Sequence, residues 1–310
     1  MEKIILITGG SGLVGTALKK FIPNAIYVDS KEYDLRKESD VIKMFETIKP
    51  NIVIHLAAKV GGILDNVERP AEYFIDNILM NSLMVKYSHL YNVERFLTML
   101  SSCIYPDVIE HYPLQEKDLH TGPPTESNFS YGYAKRCLAV LIDSYNKQYG
   151  TKYNYITPCN LYGIGDKDDE KKSHFVTSLV KKIYEANKNN NDHIILYGDG
   201  TPLRQFMYSE DLAYVINQML EKNIYDNFNI TTNENCSISE IANIALEACD
   251  SKHLKIIYDK TKPNGQFRKD ISNEKLKSLL PDFKPTSLSS GIKKVYKNYL
   301  LNDKISQRHN

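Results

Sequence analysis

The stretch that most constrains the fold is ITGGSGLVG, residues 7–15. It sets Gly9, Gly12 and Gly15 at three-residue intervals between an apolar run (KIILIT, 3–8) and an amphipathic run (LVGTALKKFI, 13–22). The first run reads as a buried strand and the second as a helix, so the glycines occupy a strand-to-helix turn. Gly9 serves the backbone angles of the turn, Gly12 lets a pyrophosphate approach the main chain, and Gly15 lets the helix pack closely on the sheet. The N–H groups that open the helix are then free to bind phosphate. A lone glycine motif is weak, but this one comes first in the chain with the required strand and helix on either side.

The first half continues the alternation. Strands are expected at 25–29, 51–58, 95–100 and 154–158, and helices at 38–48, 71–91 and 131–149. This predicts an α/β fold, a doubly wound, Rossmann-like parallel sheet made of β-α-β units. Beyond about residue 160 the pattern is less regular, with helices expected over 175–187, 209–221, 237–249 and about 290–301, and a strand at 193–197. Residues 1–160 are expected to bind a dinucleotide. Residues 161–310 are expected to form mainly a smaller α/β substrate-binding region, with some segments returning to the first. The charged stretch GDKDDEKKSH (165–174) reads as a solvated loop or a lid.

Charge narrows the partners. The 310 residues carry 39 basic and 38 acidic side chains, a formal charge of +1. No basic field exists to gather nucleic acid or an anionic membrane, and anion recognition must be local. No apolar run approaches the roughly 20 residues needed to span a bilayer. Five cysteines, with no C-x-x-C pair, argue against a disulfide framework and against a zinc site. A cytoplasmic protein without a secretory signal and without metal is expected.

YGYAK places Tyr131 and Lys135 four residues apart, on one helical face. The spacing alone says little, because Tyr27/Lys31, Tyr33/Lys37, Tyr184/Lys188 and Tyr258/Lys262 share it. Only the 131/135 pair begins a long helix after the fourth strand, and Ser101 ends that strand. A phenol with an ordinary pKa of about 10 is a poor acid or base at neutral pH. A nearby ammonium is expected to lower it, and Lys135 is also expected to bind a nicotinamide ribose. Ser101 would donate to the same substrate oxygen. At the end of the second strand, VDSKEYDL sends two signals: Asp29 suits an unphosphorylated ribose, while Ser30 and Lys31 suit a 2′-phosphate.

With its glycine turn, strand-end serine and Tyr-x-x-x-Lys helix, the chain resembles the extended short-chain dehydrogenase/reductases. HLAAKVGGI (55–63), SSCIYP (101–106), SNFSYGYAKR (127–136), PCNLYG (158–163), SHF (173–175), YGDGTPLRQFMYSEDLA (197–213) and KPNGQFRK (262–269) occur in that order. Together they resemble the GDP-L-fucose synthase family over nearly the whole chain. That family epimerises C3 and C5 of GDP-4-keto-6-deoxy-D-mannose and then reduces C4 with NADPH. The resemblance implies that Cys103 and His174 are the two acid/base groups of epimerisation, with Ser101, Tyr131 and Lys135 serving the carbonyl. Two groups are chemically necessary, because each inversion takes a proton from one face of a carbon and returns one to the other.

The resemblance further implies NADPH contacts from Gly9, Gly10, Ser11, Gly12, Leu13, Val14 and Gly15, and from Ser30, Lys31, Asp34 and Leu35. Leu100, Ser101, Ser102, Tyr131, Lys135, Pro158, Asn160, Leu161 and His174 complete that set. For the GDP-sugar, Arg204 is the leading diphosphate ligand. Lys182, Tyr197 (a stacking surface for guanine), Arg268, Lys59 and Asn160 are further candidates. Cys159 stands where a threonine is expected, and Cys137, Cys236 and Cys249 carry no expected role. A homodimer is implied, pairing helices that include the Tyr131/Lys135 helix. The runner-up is a related GDP-sugar C4 reductase, or a 3,5-epimerase/4-reductase acting on a different 4-keto sugar nucleotide. A 4,6-dehydratase would need carboxylates where Ser102 and Cys103 stand, and a nucleotide sensor would lack Tyr131, Lys135 or Ser101.

Overall fold

Six parallel strands form the central sheet of the computed structural model, which describes residues 3–166, 174–262 and 264–308. In chain order the first half runs β1 (Ile5–Thr8), α1 (Leu13–Leu18), β2 (Ile26–Val28), α2 (Glu38–Ile48), β3 (Ile52–His55), α3 (Ile63–Glu68), α4 (Pro70–Leu90), β4 (Arg95–Met99), α5 (Phe129–Tyr149) and β5 (Tyr153–Pro158). There follow β6 (Asn160–Tyr162), α6 (Phe175–Lys188), β7 (His193–Tyr197), β8 (Leu203–Arg204), β9 (Phe206–Tyr208) and α7 (Ser209–Glu221). Last come β10 (Phe228–Ile230), β11 (Cys236–Ser237), α8 (Ile238–Ala248), β12 (Lys255–Asp259), α9 (Glu274–Leu279) and α10 (Leu288–Arg308).

The sheet order is β2-β1-β3-β4-β5-β10. The chain leaves β1 toward one edge and returns to place β3 on the other side, with Leu6 opposite Val53 and Ile7 opposite Ile54. The reversal puts a crevice beyond the carboxyl ends of β1 and β3, where open α/β sheets bind ligands. Both faces are covered by helices, so the central strands are mostly apolar on both sides. Leu6, Ile7, Val53, Ile54, Phe96 and Leu97 are fully buried. Each contributes about 1.5–3 kcal/mol by leaving water.

Segments after residue 160 join two hydrophobic clusters. Met207, Leu212, Met219, Phe228 and Ile230 pack into the cluster around the central sheet. Val176, Val180, Ile183, Ile241, Ala245 and Ile292 form a second, from α6, α8 and α10. Beneath the crevice His55 bridges Thr8 (2.8 Å) and Asn81 (3.1 Å), and burial pushes its pKa down to about 3. It is a neutral strut between β1 and α4.

The structure departs from the sequence reading at several elements: the short strands β6, β8, β9 and β11, helix α9 and β10, the sixth strand of the central sheet, were not expected. Helix α1 stops at Leu18, after which tighter bonds such as Lys20 N to Ala17 O carry the chain toward Pro23. The short α3 follows AAKVGG, and β12 pairs in parallel with β7 at a half-exposed edge. Most of the charged 165–174 stretch, residues 167–173, lies outside the described residues.

Candidate active site

The glycine turn is built as its spacing requires. Gly9 has φ +72°, and a Cβ there would lie 2.8 Å from Ala57 N. A Cβ on Gly15 would lie 2.5 Å from Gly9 O and 2.7 Å from Gly10 Cα, backbone that cannot move aside. Gly12 differs: its Cβ would meet only Gly9 O, at 3.2 Å, so the space before it is clear of protein. Helix α1 has no side-chain N-cap, which leaves its first N–H groups for an anion. These features fit a dinucleotide pyrophosphate.

After β2, Asp29 Oδ1 accepts from Lys31 N at 2.9 Å, and chiefly this bond holds the carboxyl below its usual range. Ser30 and Lys31 are exposed beside it. Asp34 is engaged by Arg36 through Nε (2.8 Å) and Nη2 (3.0 Å), while Leu35 is buried. The turn therefore presents one hydroxyl and one ammonium outward.

The loop leaving β4 carries the reactive groups. Ser101 is extended, and its Oγ accepts from Cys103 N at 3.4 Å. Gly132 lets α5 press against this loop, since a Cβ there would lie 3.0 Å from Cys103 O and 2.8 Å from Pro124 Cβ. One turn on, buried Arg136 donates to Ile104 O (2.5 Å) and Gly122 O (2.7 Å), which fixes the loop on the helix. Neither residue was singled out by sequence reasoning, although both lie within the YGYAKR signature.

Tyr131 thus stands beside Ser101 and Cys103, edge-on to Tyr73 at 6.4 Å. The expected lowering of its pKa by Lys135 is not what the structure shows. Burial pushes the phenol up, Cys103 adds to this, and a hydrogen bond with Ser101 opposes both. Lys135 is itself buried, which lowers its pKa to about 8, and Nζ donates to Met99 O at 3.0 Å. The phenol is therefore held protonated and able to donate to an oxyanion.

Cys103 is half-buried, and Lys269 Nζ donates to its Sγ at 3.4 Å. Burial opposes ionisation, but Lys269, Ser101 and Arg204 outweigh it and hold the thiol below its usual range. Cys159 is the contrast: burial pushes it up to about 11. His174 stands before α6, on a different element from the other four. Its Nδ1 lies 3.1 Å from both carboxylate oxygens of Asp166, whose Oδ2 also accepts from His174 N at 3.0 Å. Burial opposes ionisation of Asp166, yet its bonds to His174 keep it below the ordinary carboxylate range. A carboxylate at Nδ1 favours the tautomer with the proton there, leaving Nε2 to exchange protons. Asp166 and Lys269 were both missed by sequence reasoning, and only contact in space identifies them.

The remaining candidates divide. Among the described residues Arg204 has no carboxylate partner, and it donates to Leu203 O at 2.7 Å. Lys182 lies 5.0 Å from the centre of the exposed Tyr197 ring, and Lys262 lies 6.0 Å from it. Asn160 Nδ2 donates to Gln205 O at 2.9 Å. Arg268 is engaged by Asp270 (2.5 and 3.0 Å) and stacks on Tyr112, so the cation facing the cysteine is its neighbour Lys269. Lys59 is likewise paired, to Glu72 and Asp76. Of the implied cofactor contacts, Leu13, Val14, Leu100, Ser102 and Leu161 are buried. Among the described residues no group of three or more His, Cys, Asp and Glu side chains is placed to hold a metal ion, and no helix is long and apolar enough to cross a membrane.

Residues 5–231 match the family model described as the NAD dependent epimerase/dehydratase family. The chain is 38% identical over 304 residues to a GDP-L-fucose synthase of Dictyostelium discoideum, covering 94% of this chain and 93% of that one. It is 36% identical over 309 residues to a GDP-L-fucose synthase of Sinorhizobium fredii, covering 97% of this chain and 96% of that one. A GDP-L-fucose synthetase from Naegleria fowleri, solved bound to NADP, superimposes with TM-score 0.87 at 32% identity, covering 98% and 94% of the two chains. A GDP-6-OMe-4-keto-L-xylo-heptose reductase from C. jejuni superimposes with TM-score 0.88 at 25% identity, covering 97% and 99%.

Proposed function

Because the chain belongs to the NAD dependent epimerase/dehydratase family, and within it to the GDP-L-fucose synthases, we propose that it converts GDP-4-keto-6-deoxy-D-mannose to GDP-L-fucose. The conversion comprises epimerisation at C3 and C5 followed by reduction at C4. One observation carries the reading: a thiol held below its usual pKa stands beside the serine and tyrosine that would face the sugar carbonyl. A simple 4-epimerase or 4-reductase has no use for it.

The protons at C3 and C5 are made acidic by the C4 carbonyl. Cys103 and His174 exchange them on opposite faces of the ring, and the electron pair released from each C–H bond moves onto O4 as an enolate. Ser101 and Tyr131 donate hydrogen bonds to that oxygen. NADPH, when bound, supplies the hydride to C4. Tyr131 then gives its proton to O4, the task suited to a phenol held protonated. Gly9 to Gly15 would cradle the pyrophosphate, Lys135 would hold the nicotinamide ribose, and exposed Ser30 and Lys31 would meet the 2′-phosphate. Arg204 would take the sugar-nucleotide diphosphate, and Tyr197, flanked by Lys182 and Lys262, would stack on guanine.

Residues 1–160 would then bind mainly NADPH and residues 161–310 mainly the GDP-sugar. The protein would act in the cytoplasm as a homodimer paired through α4 and α5, which expose Phe74, Ile75, Leu79 and Val140. Incubation with GDP-4-keto-6-deoxy-D-mannose and NADPH, with the product identified by NMR, tests the proposal. GDP-L-fucose is the expected product. A C4-reduced sugar with C3 and C5 uninverted would instead assign a plain GDP-sugar 4-reductase.

A further inference from the structure

Two cations converge on Cys103 without carboxylates to neutralise them. Among the described residues neither Lys269 nor Arg204 forms an ion pair, although 39 basic residues share this chain with 38 acidic ones. Arg204 is held by carbonyls, Leu203 O at 2.7 Å and Phe267 O at 3.4 Å. Among the described residues Lys269 Nζ donates to a single partner, Cys103 Sγ at 3.4 Å.

The backbone on both sides of Lys269 is tightly fixed. Arg268 O accepts from Tyr112 Oη at 2.9 Å, Asp270 O accepts from Leu114 N at 2.9 Å, and Ile271 N donates to Gln205 Oε1 at 2.9 Å. The Arg268–Asp270 pair brackets the lysine without engaging it. A half-buried ammonium so anchored and aimed at one sulfur, a weak acceptor as a thiol, is best satisfied when that sulfur is an anion.

We propose that Lys269 is a positioning residue for epimerisation, holding Cys103 as the thiolate and aiming its sulfur at the sugar. The inference rests on the proposed epimerase reading and adds to it the residue that makes the thiol basic. In the step it serves, the C–H bond of the sugar breaks, the proton moves to sulfur and the electron pair moves onto O4. Negative charge thereby leaves the side of Lys269 and develops facing Tyr131 and Ser101. The groups facing the sulfur are Ser101 from its own loop, Tyr131 from α5, Arg204 from β8 and Lys269. Tyr131 is held protonated, so the cations of this set are Lys269 and Arg204, and both favour the ionised form of the thiol.

The test compares Lys269→Met and Lys269→Gln with Lys269→Arg. The first readout needs no substrate: the pH profile of Cys103 alkylation by iodoacetamide, followed by mass spectrometry of its peptide. Exposed Cys137 in the same digest is the internal reference. Loss of the cation is expected to raise the Cys103 midpoint by about one pH unit or more, slowing alkylation near neutrality about tenfold, with Cys137 unmoved. Lys269→Arg is expected to restore most of the shift. The second readout is deuterium uptake at C3 and C5 at saturating substrate, expected to fall about tenfold in Lys269→Met.

A Cys103 midpoint that stays with the parent's in both neutral variants overturns the proposal. So does a raised KM with unchanged deuterium uptake at saturation, which would make Lys269 a substrate ligand. An enzyme without turnover whose Cys103 midpoint still shifts would sink the proposed function and leave the Lys269–Cys103 pairing standing.

Discussion

Burying Lys135 costs the fold stability, and the cost can be read from its titration. Its pKa falls from 10.5 to about 8 because the ammonium is desolvated. The unfolded chain therefore binds more protons than the folded one between about pH 8 and 10.5, and stability rises with pH across that window. Below it the penalty is complete, about 3 kcal/mol for a shift of that size. Lys135→Met removes the charge but also the hydrogen bond to Met99 O, which contributes about 1.5–3 kcal/mol because its donor is ionised. At neutral pH the variant should gain about 1 kcal/mol in urea unfolding without cofactor. Near pH 10.5 the order should reverse, because the parent's lysine is then no longer penalised while the variant still lacks its hydrogen bond. NADPH should stabilise the parent far more than the variant. A variant less stable than the parent at neutral pH, or one whose advantage is unchanged through this window, would refute the reasoning.

Other perturbations separate structure from chemistry. Gly15→Ala should destabilise the fold by about 1–3 kcal/mol, since its methyl meets only backbone, as a melt would record. Gly12→Ala, whose methyl meets only Gly9 O at 3.2 Å, should lose less stability than Gly15→Ala but bind NADPH about tenfold more weakly by fluorescence titration. Asp166→Asn should remove the negative charge and one of the two acceptor oxygens at His174 Nδ1. Deuterium uptake should drop about a hundredfold while NADPH binding is retained, and equal uptake would remove Asp166 from the mechanism.

Much of this architecture was legible because the signals are local. Glycines at three-residue spacing and apolar runs such as KIILIT are dictated by the chain's immediate geometry, and five of the six central strands fell where the periodicity put them; β10, three residues long and placed by pairing with β5, did not. The strands β8 and β11, two residues each, leave no periodic trace. β12 alternates only weakly because it forms an edge. Within the site, Ser101, Cys103, Tyr131 and Lys135 were readable from two short stretches. Asp166 and Lys269 were not, because an ion pair or a cation over a thiol is made by chain segments that meet only after folding. The protonation of Tyr131 was misjudged for a similar reason. Four-residue spacing puts an ammonium on the same helical face, but only the packed structure shows that Lys135 donates to Met99 O and that burial raises the phenol.

Solvent isotope labelling tests the central claim most directly: that the sulfur of residue 103 moves protons at carbon. In deuterated water with NADPH, the parent should yield GDP-L-fucose carrying deuterium at both C3 and C5. Cys103→Ser should bind substrate and cofactor yet place almost no deuterium at either carbon. Full labelling by the serine variant at the parent's rate would contradict the account.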